Sequence, residues 1–337
     1  MSDTIVYVSN ADSGEISVLR LDERQAVLST VQTVSGIGIV MPMAVSPDRR
    51  VLYAARRNEQ PAVLAWRIDA GSGRLSALGE APLPASMAHI AVDGSGRWLF
   101  SASYHGNLIA LSPIDAEGHP GPASWTLPTE PKAHAMRAAP GNRFVYATSL
   151  GGGVVMQFRF DAASGELEPL APRDIAVHDG AGPRHLAFHP GGAFVYLLNE
   201  LDASVDLFSL DRESGTLRPL QTVGTLPPGF TGEPWGAELR LTADGRFLYT
   251  SERRSSTLAG FAVDTASGRL TPIGHWPTQA QPRGFAITPS GRCLVAAGQL
   301  SHTVGVHTIA PATGILSLRH EHAVGRNPNW VEAIDLP

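Results

Sequence analysis

The sequence predicts an all-β chain that closes into a seven-bladed β-propeller. Three observations predict it: a phrase that recurs at blade-sized intervals, a second phrase that marks hairpin turns, and a seventh copy of the first phrase divided between the two ends of the chain. The first phrase runs turn, basic residue, then an apolar stretch ending in most copies on an aromatic. It is found at Ser46–Tyr53, Asp93–Phe100, Pro140–Tyr146, His189–Tyr196, Ala243–Tyr249 and Pro289–Val295. Aligned on the residue before the apolar triplet, the copies fall at Arg50, Arg97, Arg143, Ala193, Arg246 and Arg292, at intervals of 47, 46, 50, 53 and 46 residues. Those intervals suit a four-stranded blade.

A further step past Arg292 leaves the chain, whereas a step back from Arg50 reaches Thr4, followed by Ile5, Val6 and Tyr7. The seventh copy is therefore read as split. Asn327–Ile334 supplies the strand before its turn and Thr4–Val8 the strand after it, so that the two ends pair within one blade. Such closure removes the exposed strand edges of an open array.

The second phrase, Asp-x-x-Ser-Gly-x-Leu in its fullest form, occupies Asp69–Leu75, Asp161–Leu167, Asp211–Leu217 and Asp264–Leu270, with a shortened copy at Ala312–Leu316. Its glycine can take positive φ and its Asp and Ser can bond the local backbone, so it reads as a structural hairpin turn. Segments such as Phe194–Leu198 and Val205–Leu210 have the length and composition of strands, which rejects a helical solenoid.

Bulk properties agree. Residues 1–337 are read as one propeller domain, since 43% hydrophobic and 17% charged residues describe a folding chain, and 35 Gly and 26 Pro spread along it describe many turns. A net charge of −5 without a dense Lys/Arg run gives no footprint for nucleic acid or an anionic membrane. The opening residues lack a basic start and a long apolar core, so the expected compartment is the cytoplasm. Cys293, the single cysteine, excludes an intrachain disulfide and reads as a buried small hydrophobe.

Propeller geometry also gives an address for a site. The start of each channel strand and the end of the strand after it lie on one face of the disc, so residues there converge from different blades. The positions hold Arg184, His185 and Glu200; His89 with Tyr104 and His105; Lys132 with His134; Trp235 with Glu252 and Arg253; Arg283; and Trp330. Several cations beside a carboxylate and imidazoles suit an anionic substrate and a hydrolytic or proton-transfer step. The competing reading makes each Arg or His a solvated loop end, and Trp235 and Trp330 packing between blades. His189 falls on the opposite face and reads as structural; His119, His178, His307, His320 and His322 receive no role. Glu200, Glu238 and Glu252 have the chemistry to hold a hard cation, yet no metal is assigned. Gly151-Gly-Gly153 lacks the Lys-Ser/Thr of a phosphate loop, and no Gly-x-Ser-x-Gly elbow occurs.

At these residues the chain resembles the propeller-type 6-phosphogluconolactonase family, which is related to carboxymuconate lactonising enzymes. The resemblance runs nearly end to end and rests on Met41–Asp48, Gly180–His185, Asn199–Asp206, Gln281–Phe285, Ala296–His302 and the final Pro-x-Trp. It implies catalytic roles for His134, Arg184, Glu200 and Arg253, with no cofactor and a small anionic sugar lactone as partner; His185, Arg283, His89, Tyr104 and Trp330, placed on the same face by the propeller geometry, are assigned to substrate binding. The chain departs from the family at Glu252-Arg253-Arg254, where Asp-Arg is usual, and at Pro234–Glu238. On this reading Glu200 or His134 deprotonates water, and Arg184 and Arg253 stabilise the oxyanion or bind the substrate anion. A lactonase or cycloisomerase for another sugar-acid or muconate-type lactone stays open, as does a non-catalytic interaction propeller; monomer and dimer are equally compatible with the sequence.

Overall fold

The computed structural model describes residues 4–58 and 60–336. All regular structure in it is strand: seven four-stranded antiparallel sheets follow one another around a common channel. Blade 1 orders Pro328–Asp335, Thr4–Asn10, Glu15–Asp22 and Val27–Val34 from the channel outward, which is the closure expected from the split seventh repeat. Its register sets Thr4 opposite Asp335 and Ser9 opposite Trp330. In blades 2 to 7 the channel strands are Val40–Val45, His89–Val92, Ala133–Ala138, Pro183–Phe188, Gly236–Leu241 and Pro282–Ile287.

The apolar core lies between adjacent sheets, away from the channel. Ile5, Tyr7, Ile16 and Val18 of blade 1 pack against Met43, Leu52, Ala54 and Trp66 of blade 2. On its other side, Val6 and Val8 pack against Val295, Val304 and Val306 of blade 7, with Cys293 fully buried among them. Because successive strand residues point to opposite faces, one run of apolar residues serves two interfaces.

The two repeated phrases meet across these interfaces. The tyrosine ending the first phrase donates its hydroxyl to the carbonyl of the turn glycine of the next blade: Tyr7 to Gly73 at 2.9 Å, Tyr196 to Gly268 at 2.8 Å and Tyr249 to Gly314 at 2.6 Å. Tyr53 to Gly118 and Tyr146 to Gly215 repeat the contact. Gly73 has φ 72°, and a Cβ there would sit 2.5 Å from the Ile5 side chain, so the turn needs glycine both for its conformation and for close approach of the neighbouring blade. Five of the six tyrosines are used in this way. The sixth, Tyr104, faces the site.

Candidate active site

A break in strand register aims the functional side chains. The pairing of each of several channel strands with its neighbour skips a residue near the strand start: His134 between Ala133 and Ala135, Arg184 between Pro183 and His185, Arg283 between Pro282 and Gly284. A bulge leaves the extra residue unpaired and redirects it, here toward the channel. The backbone groups freed this way are recovered by hydroxyls. Thr148 Oγ1 accepts from the Ala135 N–H at 3.0 Å and donates to the Arg184 carbonyl at 2.7 Å, linking one bulge to the next. Ser251 repeats the device between Glu238 and Arg283.

The residue just past each second strand supplies the partner. Glu200 follows Asn199, and its Oε2 accepts from Arg184 Nε at 2.7 Å and lies 3.0 Å from Arg253 Nη2. Arg253, just past Phe247–Glu252, also donates to the carbonyls of Trp235 and Gly236, and its guanidinium lies 3.7 Å from the centre of the Trp235 ring. Arg184 is only 1% exposed and further donates to the Ala237 carbonyl. Burial by itself would raise the Glu200 carboxyl, but the Arg184 and Arg253 charges outweigh it and hold Glu200 below its ordinary value. Burial and the Arg184 charge pull Arg253 down to about 9 in spite of Glu200.

His134 sits beside this cluster, its Nε2 4.0 Å from Glu200 Oε2 and its buried Nδ1 without a hydrogen-bond partner. Burial, reinforced by the charges of Arg184 and Arg283, drives its pKa well below that of a free imidazole, so the ring is neutral with an available lone pair. His185 lies 3.1 Å through Nδ1 from Glu238 Oε1, while Arg184 Nη1 lies 3.3 Å from both of its ring nitrogens. Tyr104 stands edge-on to His134 with ring centres 6.0 Å apart, and Lys132 Nζ lies 5.6 Å over its face.

The residues expected from the sequence fall into two adjoining groups that meet at His134 and His185, whose ring centres are 5.0 Å apart. His134, Arg184, Glu200, Arg253, Arg283 and Tyr104 gather toward the face where the channel strands begin. His89, His185 and Trp330 stack edge to face with one another, centres 5.4 to 5.8 Å apart, and line a polar cavity of about 160 Å³ that continues along the channel to Arg137, Arg240 and Glu332. Trp330 lines the channel cavity, with Nε1 donating to Glu332 Oε1 at 2.8 Å, and also belongs to the apolar cluster between blades 1 and 2, while Trp235 carries Arg253.

Two residues of this region, Arg57 and Met41, received no site role from the sequence, and Glu238 was considered only as a cation ligand. Arg57 stands one residue past Val51–Arg56, the same position as Tyr104, Glu200 and Arg253 in their blades, so the positional rule contained it. Glu238 holds His185, a role that pattern alone does not announce. Among possible metal ligands, His320-Glu321-His322 has a His-x-His spacing, but its rings are 6.1 Å apart and His322 Nε2 pairs with Thr30 Oγ1 at 3.0 Å. Among the described residues, the one group of three with converging ligand atoms is Asp115, Glu117 and His119, far from the channel strands in a turn of blade 3.

Comparison with known proteins agrees with this architecture. Residues 5–333 match the family described as "Lactonase, 7-bladed beta-propeller". A protein of Pectobacterium carotovorum named 6-phosphogluconolactonase is 41% identical over 98% of this chain and 99% of its own, and one of the same name from Cronobacter sakazakii is 39% identical over 97% of each. Among solved structures, a periplasmic gluconolactonase of Pseudomonas aeruginosa superposes with a TM-score of 0.92 at 28% identity, over the full length of both chains. The chain belongs to the lactonase family of seven-bladed β-propellers.

Proposed function

We propose that the protein is a lactone hydrolase that opens 6-phosphoglucono-δ-lactone to 6-phosphogluconate by base-assisted attack of water. The observation that carries this reading is a carboxylate, Glu200, held between Arg184 and Arg253 beside a neutral His134 with an unengaged ring nitrogen. Relatives bearing the name 6-phosphogluconolactonase along their whole length support the substrate class.

Of the two candidate bases, His134 takes the proton. Glu200 Oε2 is engaged by two guanidiniums and is not free to take it. Water attacks the lactone carbonyl carbon and gives its proton to His134; Arg184 and Arg253 stabilise the oxyanion that forms. Collapse of this intermediate breaks the bond to the ring oxygen, which recovers the proton from His134. The same arginines that depress His134 in the free protein are neutralised by an anionic substrate, so the imidazole becomes more basic when the substrate is bound. The chemistry needs no cofactor and no covalent nucleophile, because a strained ester opens readily once water is positioned. His185, Arg283 and Tyr104 line the approach as substrate-binding groups, with His89 and Trp330 extending the polar wall. A phosphorylated sugar acid does not cross membranes unaided, which places such an enzyme in the cytoplasm; among the described residues no helix is long and apolar enough to cross a membrane.

The gluconolactonase name of the Pseudomonas aeruginosa protein favours a second reading, an unphosphorylated aldonolactone as substrate. Initial rates on freshly generated 6-phosphoglucono-δ-lactone and glucono-δ-lactone decide between them. Faster opening of the phosphorylated lactone supports the first reading, faster opening of the other supports the second, and buffer rates on both reject hydrolysis of either.

A further inference from the structure

The mouth of the site carries more positive charge than the reaction centre uses. The guanidiniums of Arg57, Arg184, Arg253 and Arg283 stand close enough for the other three to act electrostatically on Arg283, with Glu200 and Glu252 the carboxylates beside them. Arg184 and Arg253 are both directed at Glu200 Oε2, leaving Arg57 and Arg283 in no ion pair with any described carboxylate.

Those two arginines, from blades 2 and 7, reach the same atom. Arg57 Nη1 lies 3.4 Å and Arg283 Nη1 3.5 Å from the thioether sulfur of Met41, which is buried beneath them. A thioether is a weak acceptor and a guanidinium has five N–H donors. Beyond that sulfur, Arg57 makes one further bond, Nε to Ser86 Oγ at 2.8 Å, and the buried Arg283 Nε makes none. Two half-buried cations side by side, poorly supplied with acceptors, are costly to the folded protein and are completed by an anion that bridges them. Burial lowers the pKa of both, and the neighbouring arginine charges lower that of Arg283 further.

We infer that Arg57 and Arg283, seated on Met41, form the phosphate subsite that makes the protein prefer a phosphorylated lactone over its unphosphorylated counterpart. The inference rests on the hydrolase reading above. A phosphate matches the pair in both charge and geometry: it carries nearly two negative charges and three acceptor oxygens, enough for one oxygen to each guanidinium fork and one to solvent. The carbonyl end of the same molecule then points to the Arg184–Glu200–Arg253 cluster, which its own ion pairs keep from competing for the phosphate.

The test is the selectivity ratio, kcat/KM for 6-phosphoglucono-δ-lactone divided by kcat/KM for glucono-δ-lactone, in the wild type, Arg57→Met, Arg283→Met and Arg57→Lys. Methionine keeps the bulk and apolar stem over Met41 while deleting the fork. The ratio is expected to fall about 10- to 100-fold in each methionine variant, carried by KM, and to recover in part with lysine, which restores the charge without the fork. Calorimetric titration with inorganic phosphate, which needs no turnover, is expected to show binding to the wild type and none to Arg57→Met. A phosphate-selective wild type whose variants keep the ratio within threefold overturns the subsite and leaves the hydrolase reading standing. A wild type that opens neither lactone overturns the hydrolase reading and this inference with it.

Discussion

Glu200 and Arg184 form a 2.7 Å ion pair in the channel, and the same Glu200 oxygen receives Arg253 at 3.0 Å. One carboxylate oxygen thus organises two guanidiniums from blades 5 and 6. Its partners leave Glu200 below its usual pKa, so its contribution is to orient cations.

Glu200→Gln is therefore expected to reduce both stability and turnover. The amide leaves two buried guanidiniums uncompensated, a change of the kind that costs about 3–5 kcal/mol. Turnover should fall by about 100-fold or more as the oxyanion-binding donors lose their fixed geometry. Denaturant unfolding beside initial rates on the folded variant reads both; a variant with wild-type turnover removes Glu200 from the site.

His134→Gln separates the base from the scaffold. The amide keeps hydrogen-bonding capacity but cannot take a proton, so kcat is expected to fall by about 10²–10⁴-fold with little change in KM. An equal fall in affinity for the product 6-phosphogluconate would show His134 to be a binding residue instead.

Glu238 acts through His185. Its Oε1 accepts from the His185 ring and from the Leu239 N–H at 3.0 Å, fixing the ring against Arg184. Glu238→Gln keeps the shape but offers the wrong group in half of its orientations, and Glu238→Ala removes it. A KM rise with the alanine variant that the glutamine variant partly rescues is the expected result; equal effects on kcat alone would mark a different role.

The fold was legible because its determinants are local and repeated. Each turn needs its glycine, each interface its apolar pairs, and the split of Thr4–Val8 from Asn327–Ile334 follows from counting intervals. The site was legible where residues stand at fixed ends of strands, as Arg184, Glu200 and Arg253 do. Arg57 obeys the same rule but lies in an arginine pair, Arg56-Arg57, of which Arg56 makes a 3.0 Å pair with Glu80 near the surface; sequence alone does not say which of two adjacent arginines turns inward. The division between the Glu200 cluster and the His89–His185–Trp330 cavity depends on register breaks of one residue, and those arise from bulges that no local pattern marks.

Tyr196→Phe tests the contacts between blades. The Tyr196 hydroxyl is buried and donates to the Gly268 carbonyl at 2.8 Å, so its loss removes one hydrogen bond and leaves a buried acceptor unpaired. A loss of about 1–3 kcal/mol is expected, with activity retained because the contact lies outside the channel. Additive losses when Tyr7→Phe is combined with it are expected, since blades 1 and 5 share no partner. Stability unchanged in both single variants would mean that packing alone joins the blades.

The three channel histidines make stability depend on pH with a definite sign. Burial is the main cause that holds His89, His134 and His185 well below their ordinary value of 6.5, and neighbouring arginines add to it. In the unfolded chain each would take up a proton near pH 6.5, whereas in the folded protein each stays neutral to lower pH. Unfolding therefore binds protons, and stability falls as pH drops below about 6.5, each group contributing up to about 1.4 kcal/mol per pH unit. His178, paired with Asp202 at 2.6 Å and raised in consequence, works in the opposite direction, as one group against six, since burial lowers His189, His307 and His322 as well. Unfolding free energies measured from pH 8 to 5 are expected to be flat above 7 and to fall below 6.5. In His89→Phe, whose ring can occupy the place of an imidazole with an unpartnered Nδ1, the slope should lessen by one group's share. A wild-type profile that stays flat down to pH 5 would mean that these rings protonate inside the folded channel, and a charged His134 could not then serve as the base.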